Sequence, residues 1–283
     1  MTPRRVWGVF REPAHSPGRE ADDAEILRLT GKRLEARGLI VALREADGLT
    51  DPGEAGPALV FAMCERMGAL GRLRQWERAG ARVVNRPAAI LATYRTRMLP
   101  RWRRAGVAFP RSQIVSTRDR PRVRSWPVWV KRGDVHNTQA GDVVRVDSPT
   151  ALRGALDALG ARGIARAVIQ AHVPGDLLKV YGIIDRGRRG RPLRWFRWFY
   201  HRDQDLTGHR FAVDALAALA RRAALALGLE VFGGDVLVAG PGTLLVIDIN
   251  AWPSFALFRD EAAGEIASYL VERLTRRAGL RPS

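Results

Sequence analysis

Two aspartates and an asparagine near the C-terminal end of the sequence form the clearest candidate for a chemical site. Two apolar runs flank a Gly-Pro-Gly-Thr turn at 240–243, a pattern typical of a β-hairpin. Centring the turn between its two middle residues places Asp235 directly opposite Asp248. The two-residue period of a strand then puts Asn250 on the same face of the sheet.

Opposed carboxylates on apolar strands repel each other unless a cation compensates for them. Two carboxylates and an amide oxygen are hard ligands of the kind that suit Mg²⁺, which takes much of its remaining shell from water and substrate phosphates. The pattern therefore predicts a metal site at Asp235, Asp248 and Asn250. The alternative is a register that differs by one residue, with one aspartate solvated at a strand end.

The scarcity of lysine singles out two further residues. Only three of the 47 basic residues are lysines, so a lysine in this chain indicates a position that needs a compact ammonium group. Lys131 ends an apolar run at 127–131, and Lys179 lies within another at 177–184. An ammonium group in an apolar strand is costly without an anion, and a metal-bound triphosphate would supply one. Either lysine alone could instead extend its ammonium group to solvent at a strand end.

The first 88 residues alternate strand and helix patterns, which favours a small parallel α/β domain. Strands are predicted at 6–10, 39–43, 58–63 and 82–84, with helices at 21–37 and 70–79. Ligands bind at the carboxyl ends of strands in such sheets. The loops 11–17 and 64–68 are therefore candidate substrate loops.

The remaining chain continues with mixed elements. Helices are predicted at 88–105, 150–161, 212–227 and 261–277, and extended segments at 128–131, 143–146, 167–170 and 177–184. A basic aromatic stretch at 194–202 precedes the helix predicted at 212–227. This stretch has two interpretations, a strand with one aromatic face in the core or a surface on which nucleic-acid bases stack.

Composition narrows the class of protein. The chain has 283 residues, 46% of them hydrophobic, a net charge of +18 and one cysteine, which excludes a disordered chain and a disulfide scaffold. The segment 89–172 holds 16 basic and 5 acidic residues, so the excess charge concentrates there. No apolar stretch long enough for a membrane span and no signal peptide pattern is evident, and we expect a cytoplasmic protein that does not bind membranes.

Several short motifs, in their order along the chain, resemble those of the ATP-grasp superfamily, in particular ligases of the ribosomal-protein glutamate ligase (RimK) and glutathione synthetase groups. The segments that carry the resemblance are Lys131 with its following loop, 168–174, 179–182, Gly234-Asp235 and Asp248-Ile-Asn-Ala-Trp-Pro253. The resemblance implies an ATP-grasp fold, in which two α+β lobes grip ATP, preceded by a small Rossmann-like domain. The implied domains are 1–88, 89–172 for the central lobe, and 173–283 for the C-terminal lobe with the metal site.

The resemblance also implies ATP and Mg²⁺ (or Mn²⁺) as cofactors, with Asp235, Asp248 and Asn250 as metal ligands. Lys131 would hold the α- and β-phosphates, and Lys179 would contact phosphate or substrate.

Three residues of the segment 170–173, namely Gln170, His172 and Val173, would form the hinge whose backbone contacts adenine. Arg97 occupies the helix position where members of the superfamily commonly have a second nucleotide-binding lysine.

The loop after Lys131 lacks the glycine-rich run that is usual in the ligases. His136-Asn-Thr138 is instead similar to the corresponding loop of inositol trisphosphate 5/6-kinases. His136 is then a candidate acceptor contact or proton relay, or an ordinary loop residue. Ser254 stands where glycine is common in both groups.

Two reactions follow from the resemblance. A carboxylate-amine ligase would form an acyl phosphate, with Arg194, Arg197 or Arg202 holding the carboxylate or the developing charge, and we rank it narrowly first. A kinase would phosphorylate a hydroxyl of a polyanionic acceptor such as an inositol phosphate. The expected partner is an acidic small molecule or peptide, while nucleic-acid binding is disfavoured. A binding protein with an inactive nucleotide site is a further alternative, and the sequence does not indicate the oligomeric state.

Overall fold

The computed structural model describes residues 4–52, 56–135, 137–185 and 193–275. A parallel four-stranded sheet opens the chain, in the order β2-β1-β3-β4. Its elements are β1 (Arg5–Val9), α1 (Glu20–Glu35), β2 (Ile40–Arg44), β3 (Leu59–Ala62), α2 (Met67–Arg78) and β4 (Arg82–Val84). The parallel α/β arrangement predicted for residues 1–88 is confirmed.

The middle of the chain forms an antiparallel sheet in the order β5-β8-β6-β7, with one helix packed against it. Its elements are α3 (Pro87–Ala92), α4 (Arg95–Arg104), β5 (Ser112–Ser116), β6 (Val128–Arg132), β7 (Val143–Val146), α5 (Pro149–Ala161) and β8 (Arg166–Ala171).

The single helix predicted over 88–105 is wrong, because the chain forms two helices there. The backbone of Tyr94 leaves the helical region, with ψ at 124°, and its hydroxyl donates a hydrogen bond to the carbonyl of Glu65. Thr96 N, two residues later, donates to the carbonyl of Gly133. These contacts redirect the chain so that α4 begins beside the loop that follows β6.

A second antiparallel sheet, in the order β10-β9-β11-β12, completes the fold. Its elements are β9 (Asp176–Ile183), β10 (Trp195–Tyr200), α6 (Val213–Leu227), β11 (Val231–Gly240), β12 (Thr243–Ala251) and α7 (Arg259–Thr275). None of the helices in the described part of the chain is both long and apolar enough to cross a membrane.

The β11–β12 hairpin pairs Asp235 with Asp248, which confirms the register predicted from the turn. The ladder between the turn and this pair is irregular, since Ala239 is an extra residue on β11 and Ile247 an extra residue on β12. One bulge on each strand shifts the register once in each direction. The two shifts cancel before the aspartates are reached.

The hydrophobic cores do not follow the order of the chain. Two of the three clusters combine side chains of the first sheet with side chains of the last, joining for example Val9 to Val246 and Phe61 to Val231. The third cluster contains only residues between Val115 and Ile169. The first and last sheets therefore share their cores, whereas the middle sheet and α5 form a separate cluster, although Val168 of β8 belongs to a shared one.

Candidate functional site

A row of charged side chains crosses three neighbouring strands of the last sheet. Asp235 pairs with Lys179 on one side and with Asp248 on the other, so all three share one face. Lys179 Nζ lies 2.6 Å from Asp235 Oδ1. Two residues along, Asn250 stands on the same face, opposite Gly233. The structure thus brings together the three residues predicted to bind metal and one of the two lysines.

Arg95, at the start of α4, reaches this row from the middle of the chain. Its guanidinium is almost fully buried and donates to Asp248 Oδ2 from both Nη2, at 2.6 Å, and Nε, at 3.2 Å. Nη2 also donates to Asn137 Oδ1 at 3.1 Å. No sequence pattern distinguishes Arg95 from the other arginines of this helix. Arg97, which the resemblance favoured, lies two residues later with an exposed side chain.

Lys131 is the penultimate residue of β6 and is buried, with 5% of the residue exposed. Burial lowers the pKa of its ammonium group to about 8. The negative charges of Asp248 and Asp235 oppose this shift, and the positive charge of Arg95 adds to it. Lys131 therefore belongs to the same charge cluster as the predicted metal ligands, and its charge is costly in the absence of an anion.

The oxygen donors fit a hard divalent cation. Asp235 Oδ1 is buried and has no aligned hydrogen bond within the described residues, although Lys179 Nζ is close to it. A side chain on Gly234 would place its Cβ 2.5 Å from the carbonyl oxygen of Asp248, so a glycine is needed between the strands here. The donor set holds two carboxylates and an amide. No group of three or more His, Cys, Asp or Glu side chains suited to a metal occurs in the described ranges.

The loop that follows Lys131 is held by one buried carboxylate. Asp142 accepts hydrogen bonds from the backbone of Thr138 and Gln139, at 2.7 and 3.1 Å, and from the Thr138 hydroxyl. It also pairs with Arg132 at 3.1 Å and with Arg162 at 2.6 Å. Burial opposes its ionisation, but these hydrogen bonds outweigh burial and hold the pKa of Asp142 far below its usual value. His136, the candidate in this loop, lies outside the described residues.

The predicted hinge connects the middle sheet to β9. Gln170 is buried, and its Nε2 donates to the Ser112 hydroxyl at 3.1 Å. His172 Nδ1 accepts from Trp129 Nε1 at 3.1 Å, and burial together with the charge of Arg145 lowers the pKa of this histidine. Both side chains therefore contact the middle sheet. Val173 is half-buried in the connection that follows, between β8 and β9.

The arginines proposed as carboxylate ligands mostly pair with the last helix. Arg197 Nε donates to Glu261 at 3.1 Å, and Arg194 Nη1 donates to Glu272 at 2.6 Å. Arg202 remains exposed and lines an outer cavity described below. The side chains of Arg194 and Arg197 therefore pair with glutamates of α7, whereas Arg202 faces the cavity.

The aromatic side chains of β10 pack into both cores. Trp195 and Phe199 contact the cluster on one face, and Phe196, Trp198 and Tyr200 contact the cluster on the other. This differs from a strand with one aromatic face in the core, because the strand has apolar neighbours on both sides. Base stacking would require these rings to leave their packing partners.

A cavity of about 310 Å³ lies between the charged row and the first sheet. It adjoins a larger outer cavity of about 620 Å³, and Arg19, Lys179 and Tyr181 line both. The outer cavity also contacts Arg202 and Arg259. The two cavities extend from the candidate metal ligands toward the surface, and several arginine and lysine side chains line them.

The first sheet contributes a buried charge network to the inner cavity. Arg11 Nη1 lies 3.3 Å from Asp23 and its Nη2 lies 3.5 Å from Glu65. The same Nη2 donates to the backbone carbonyls of Ala251 and Trp252, at 3.0 and 2.8 Å. Arg11 and Glu65 lie on the two candidate substrate loops, 11–17 and 64–68. The sequence pattern does not show that these two loops contact each other.

No protein-family description and no curated protein matches this sequence. Solved structures are similar over nearly the whole chain. An ATP-grasp RimK domain protein from Sphaerobacter thermophilus has a TM-score of 0.69 at 18% identity, covering 94% of this chain and 99% of that one. The ATP-grasp ligase PsnB in complex with a minimal precursor has a TM-score of 0.65 at 19% identity, covering 96% and 100%. D-alanyl-alanine synthetase A from Vibrio cholerae has a TM-score of 0.72 at 11% identity, covering 97% and 98%.

At sequence identities of 11–19%, these similarities concern the fold. The fold predicted from the motifs is confirmed: the chain has the ATP-grasp fold.

Proposed function

We propose that this chain is a Mg²⁺- and ATP-dependent ligase that joins a carboxylate to an amine through an acyl phosphate. The observation that carries the proposal is the charge cluster. Two opposed carboxylates, Asp235 and Asp248, are surrounded by the cations Arg95, Lys131 and Lys179 beside one cavity. Such a cluster is suited to a metal-bound polyphosphate, which brings negative charge to the cations and a metal ion to the carboxylates.

Two of these cations pair with the carboxylates that would bind the metal. Lys179 pairs with Asp235, and Arg95 with Asp248. We infer that Asp235, Asp248 and Asn250 would hold the metal, and that Lys131, Lys179 and Arg95 would bind phosphate oxygens. Mg²⁺, or Mn²⁺, would neutralise phosphate charge there.

The predicted hinge supplies the place for adenine. Backbone groups of 170–173 connect the two lobes, and the side chains of Gln170 and His172 are already engaged with the middle sheet. The loop fixed by Asp142 follows Lys131 and is placed to cover the phosphates. ATP would then lie between the two antiparallel sheets with its γ-phosphate toward the inner cavity.

In the proposed reaction, a substrate carboxylate oxygen attacks the γ-phosphorus, and the bond to the β-phosphate oxygen breaks to release ADP. The amine then attacks the acyl carbon, and inorganic phosphate leaves. Phosphoryl transfer of this kind depends on positioning and charge neutralisation more than on covalent catalysis by the protein. The cluster of Arg95, Lys131 and Lys179 would supply both the positioning and the charge neutralisation.

Two of the similar structures support the choice of ligands. One PsnB structure contains a minimal precursor, Mg and ADP, and one D-alanine–D-alanine ligase, from Bacillus anthracis, is complexed with ATP. A cavity that opens to the surface past Arg19 would accommodate either a small molecule or the end of a peptide.

A kinase is the second candidate, and the cation-rich outer cavity favours it. Arg202 and Arg259 contact this space together with Arg19 and Lys179, a lining suited to a polyanionic hydroxyl acceptor. Asp22 pairs with both Arg19 and Arg259, at 3.0 and 2.5 Å, and reduces their free charge. We therefore rank the ligase first.

The test is ADP release in the presence of Mg²⁺-ATP and pools of amino acids, short peptides and inositol phosphates. Release that requires both a carboxylate and an amine supports the ligase, and release with a phosphorylated acceptor supports the kinase. Asp235→Asn and Asp248→Asn should each abolish turnover. Asp157→Asn is the matched control, since this aspartate is exposed on α5. No ADP with any pool, or full turnover by Asp248→Asn, would refute the proposal.

A further inference from the structure

A histidine and a glutamate of the first sheet face each other at the edge of the inner cavity. His15 lies in the loop after β1 and Glu65 in the loop after β3, and these strands are parallel neighbours. Their carboxyl ends therefore meet at one edge of the sheet. His15 Nδ1 lies 3.8 Å from Glu65 Oε2.

The ring of His15 has one buried edge and one edge toward the cavity. Nδ1, on the Glu65 side, is buried, whereas 11% of the side chain is exposed. His15 lines the inner cavity together with Asp235 and Asn250. Because Nδ1 lies on the buried Glu65 side, Nε2 is the ring nitrogen that we consider for chemistry in the cavity.

Glu65 is held firmly behind the ring. Its side chain is 2% exposed, and Arg11 Nη2 lies 3.5 Å from its other carboxylate oxygen. Its backbone is fixed from both sides, because its N–H donates to Glu12 at 3.0 Å and its carbonyl accepts from the Tyr94 hydroxyl at 2.8 Å. A carboxylate in this position can orient an imidazole and stabilise it when it gains a proton.

The second step of the proposed reaction requires a base. An amine is mostly an ammonium ion at neutral pH and has no lone pair for attack until a proton leaves. The cations that line the inner cavity, Arg11, Arg19 and Lys179, cannot accept that proton. Of the carboxylates there, Asp235 is assigned to the metal, and Asp23 is bound by Ser16, at 2.6 Å, and by Arg11. Burial raises the pKa of Tyr181, which also lines the cavity, to about 12, so its phenol stays protonated and cannot take up the proton. Among the titratable side chains in the described lining, this leaves His15.

We propose that His15 is a catalytic residue, whose Nε2 accepts a proton from the acceptor ammonium while Glu65 orients the ring. This role rests on the proposed ligase function. The freed lone pair forms the C–N bond to the acyl carbon, and the C–O bond to phosphate breaks with its electron pair on phosphate. The departing phosphate takes the second proton from nitrogen. The products are the amide, inorganic phosphate and a protonated His15 that returns its proton to solvent.

The experiment separates acyl phosphate formation from capture by the amine. The probes are Mg²⁺-ATP with a pool of the twenty amino acids and the dipeptides of glutamate and aspartate, with and without hydroxylamine. Hydroxylamine is neutral at pH 7 and captures an acyl phosphate without help from a base. His15→Gln should lower amide formation at least 100-fold and hydroxamate formation less than tenfold. The control is His209→Gln, which changes a histidine outside this cavity.

Glu65→Gln provides a readout that a purely structural role would not move. It should lower amide formation at least about tenfold and leave hydroxamate formation within about twofold of the parent. Equal losses of amide and hydroxamate in His15→Gln, or an unchanged amide rate, would overturn the role of His15 alone. Absence of both products with the unmodified protein would overturn the ligase and this role together.

Discussion

Replacement of Lys131 by methionine should stabilise the ligand-free protein. Burial lowers the pKa of Lys131 from 10.5 to about 8. This shift corresponds to about 3 kcal/mol, since one pKa unit is worth about 1.4 kcal/mol. The unfolded chain binds the proton more tightly than the folded one, so the charge costs stability at every pH below about 8. The cost is relieved as pH rises from about 8 toward 10.5.

Urea unfolding at two pH values measures this cost. At pH 7, Lys131→Met should be more stable than the parent by about 3 kcal/mol, and at pH 9.5 by roughly half as much. Lys32→Met is the matched control, because Lys32 is exposed on α1 and its loss should change stability by less than about 0.5 kcal/mol. Equal stabilities of the two variants at pH 7 would refute the assignment of a buried, destabilising charge.

Nucleotide binding supplies the second measurement. A phosphate beside Lys131 would restore its high pKa, so binding of Mg²⁺-ATP should take up about half a proton at pH 8 and little at pH 7. Calorimetric titrations in two buffers of different ionisation enthalpy report this uptake. Binding without proton uptake at pH 8 and 9 would place the phosphates away from Lys131, whatever the overall affinity.

Three further substitutions test other parts of the structure. Asp142→Asn should cost roughly 3 kcal/mol at pH 7, because it removes a fully buried carboxylate that pairs with Arg132 and Arg162. The lowered pKa of this carboxyl means that its contribution to stability is lost as pH falls below about 4, so the difference should shrink there, and urea unfolding at both pH values checks this. Asn85→Ala should cost about 2–3 kcal/mol in urea unfolding, since Asn85 is fully buried and bonded to the backbone of β11 and the residue before it. Arg95→Ala should reduce ATP-dependent turnover at least 100-fold, while Arg97→Ala should stay within twofold of the parent, and the reverse order would contradict the placement of these side chains.

The hairpin shows how far sequence reasoning reached. Turn residues and alternation place Asp235 opposite Asp248, and the structure confirms this pair. The predicted register is correct despite two bulges, because one extra residue on each strand leaves the pairing of the aspartates unchanged. A single bulge would have shifted one aspartate to the other face. Local patterns cannot show a bulge, so part of this agreement depends on their cancellation.

Arg95 shows where sequence reasoning stopped. Helix α4 is rich in arginine, and its pattern does not tell which guanidinium is buried. The answer depends on the break at Tyr94, and that break depends on a hydrogen bond to Glu65, nearly thirty residues away. The same holds for His15 and Glu65, which strand order places at one edge but which only packing brings into contact. Contacts between distant segments therefore decide the site beyond its hairpin.

The shared cores bear on how the protein would lose its structure. Because the first and last sheets bury their side chains in common clusters, neither can unfold and leave the other intact. Most buried apolar side chains of the middle sheet belong to the separate cluster between Val115 and Ile169, so we expect this sheet to open before the other two. Hydrogen exchange should then show two cooperative units, with β5 to β8 as the less protected one and bound nucleotide raising its protection most. Three chain segments would thus behave as two units of stability, and occupancy of the cleft would link them.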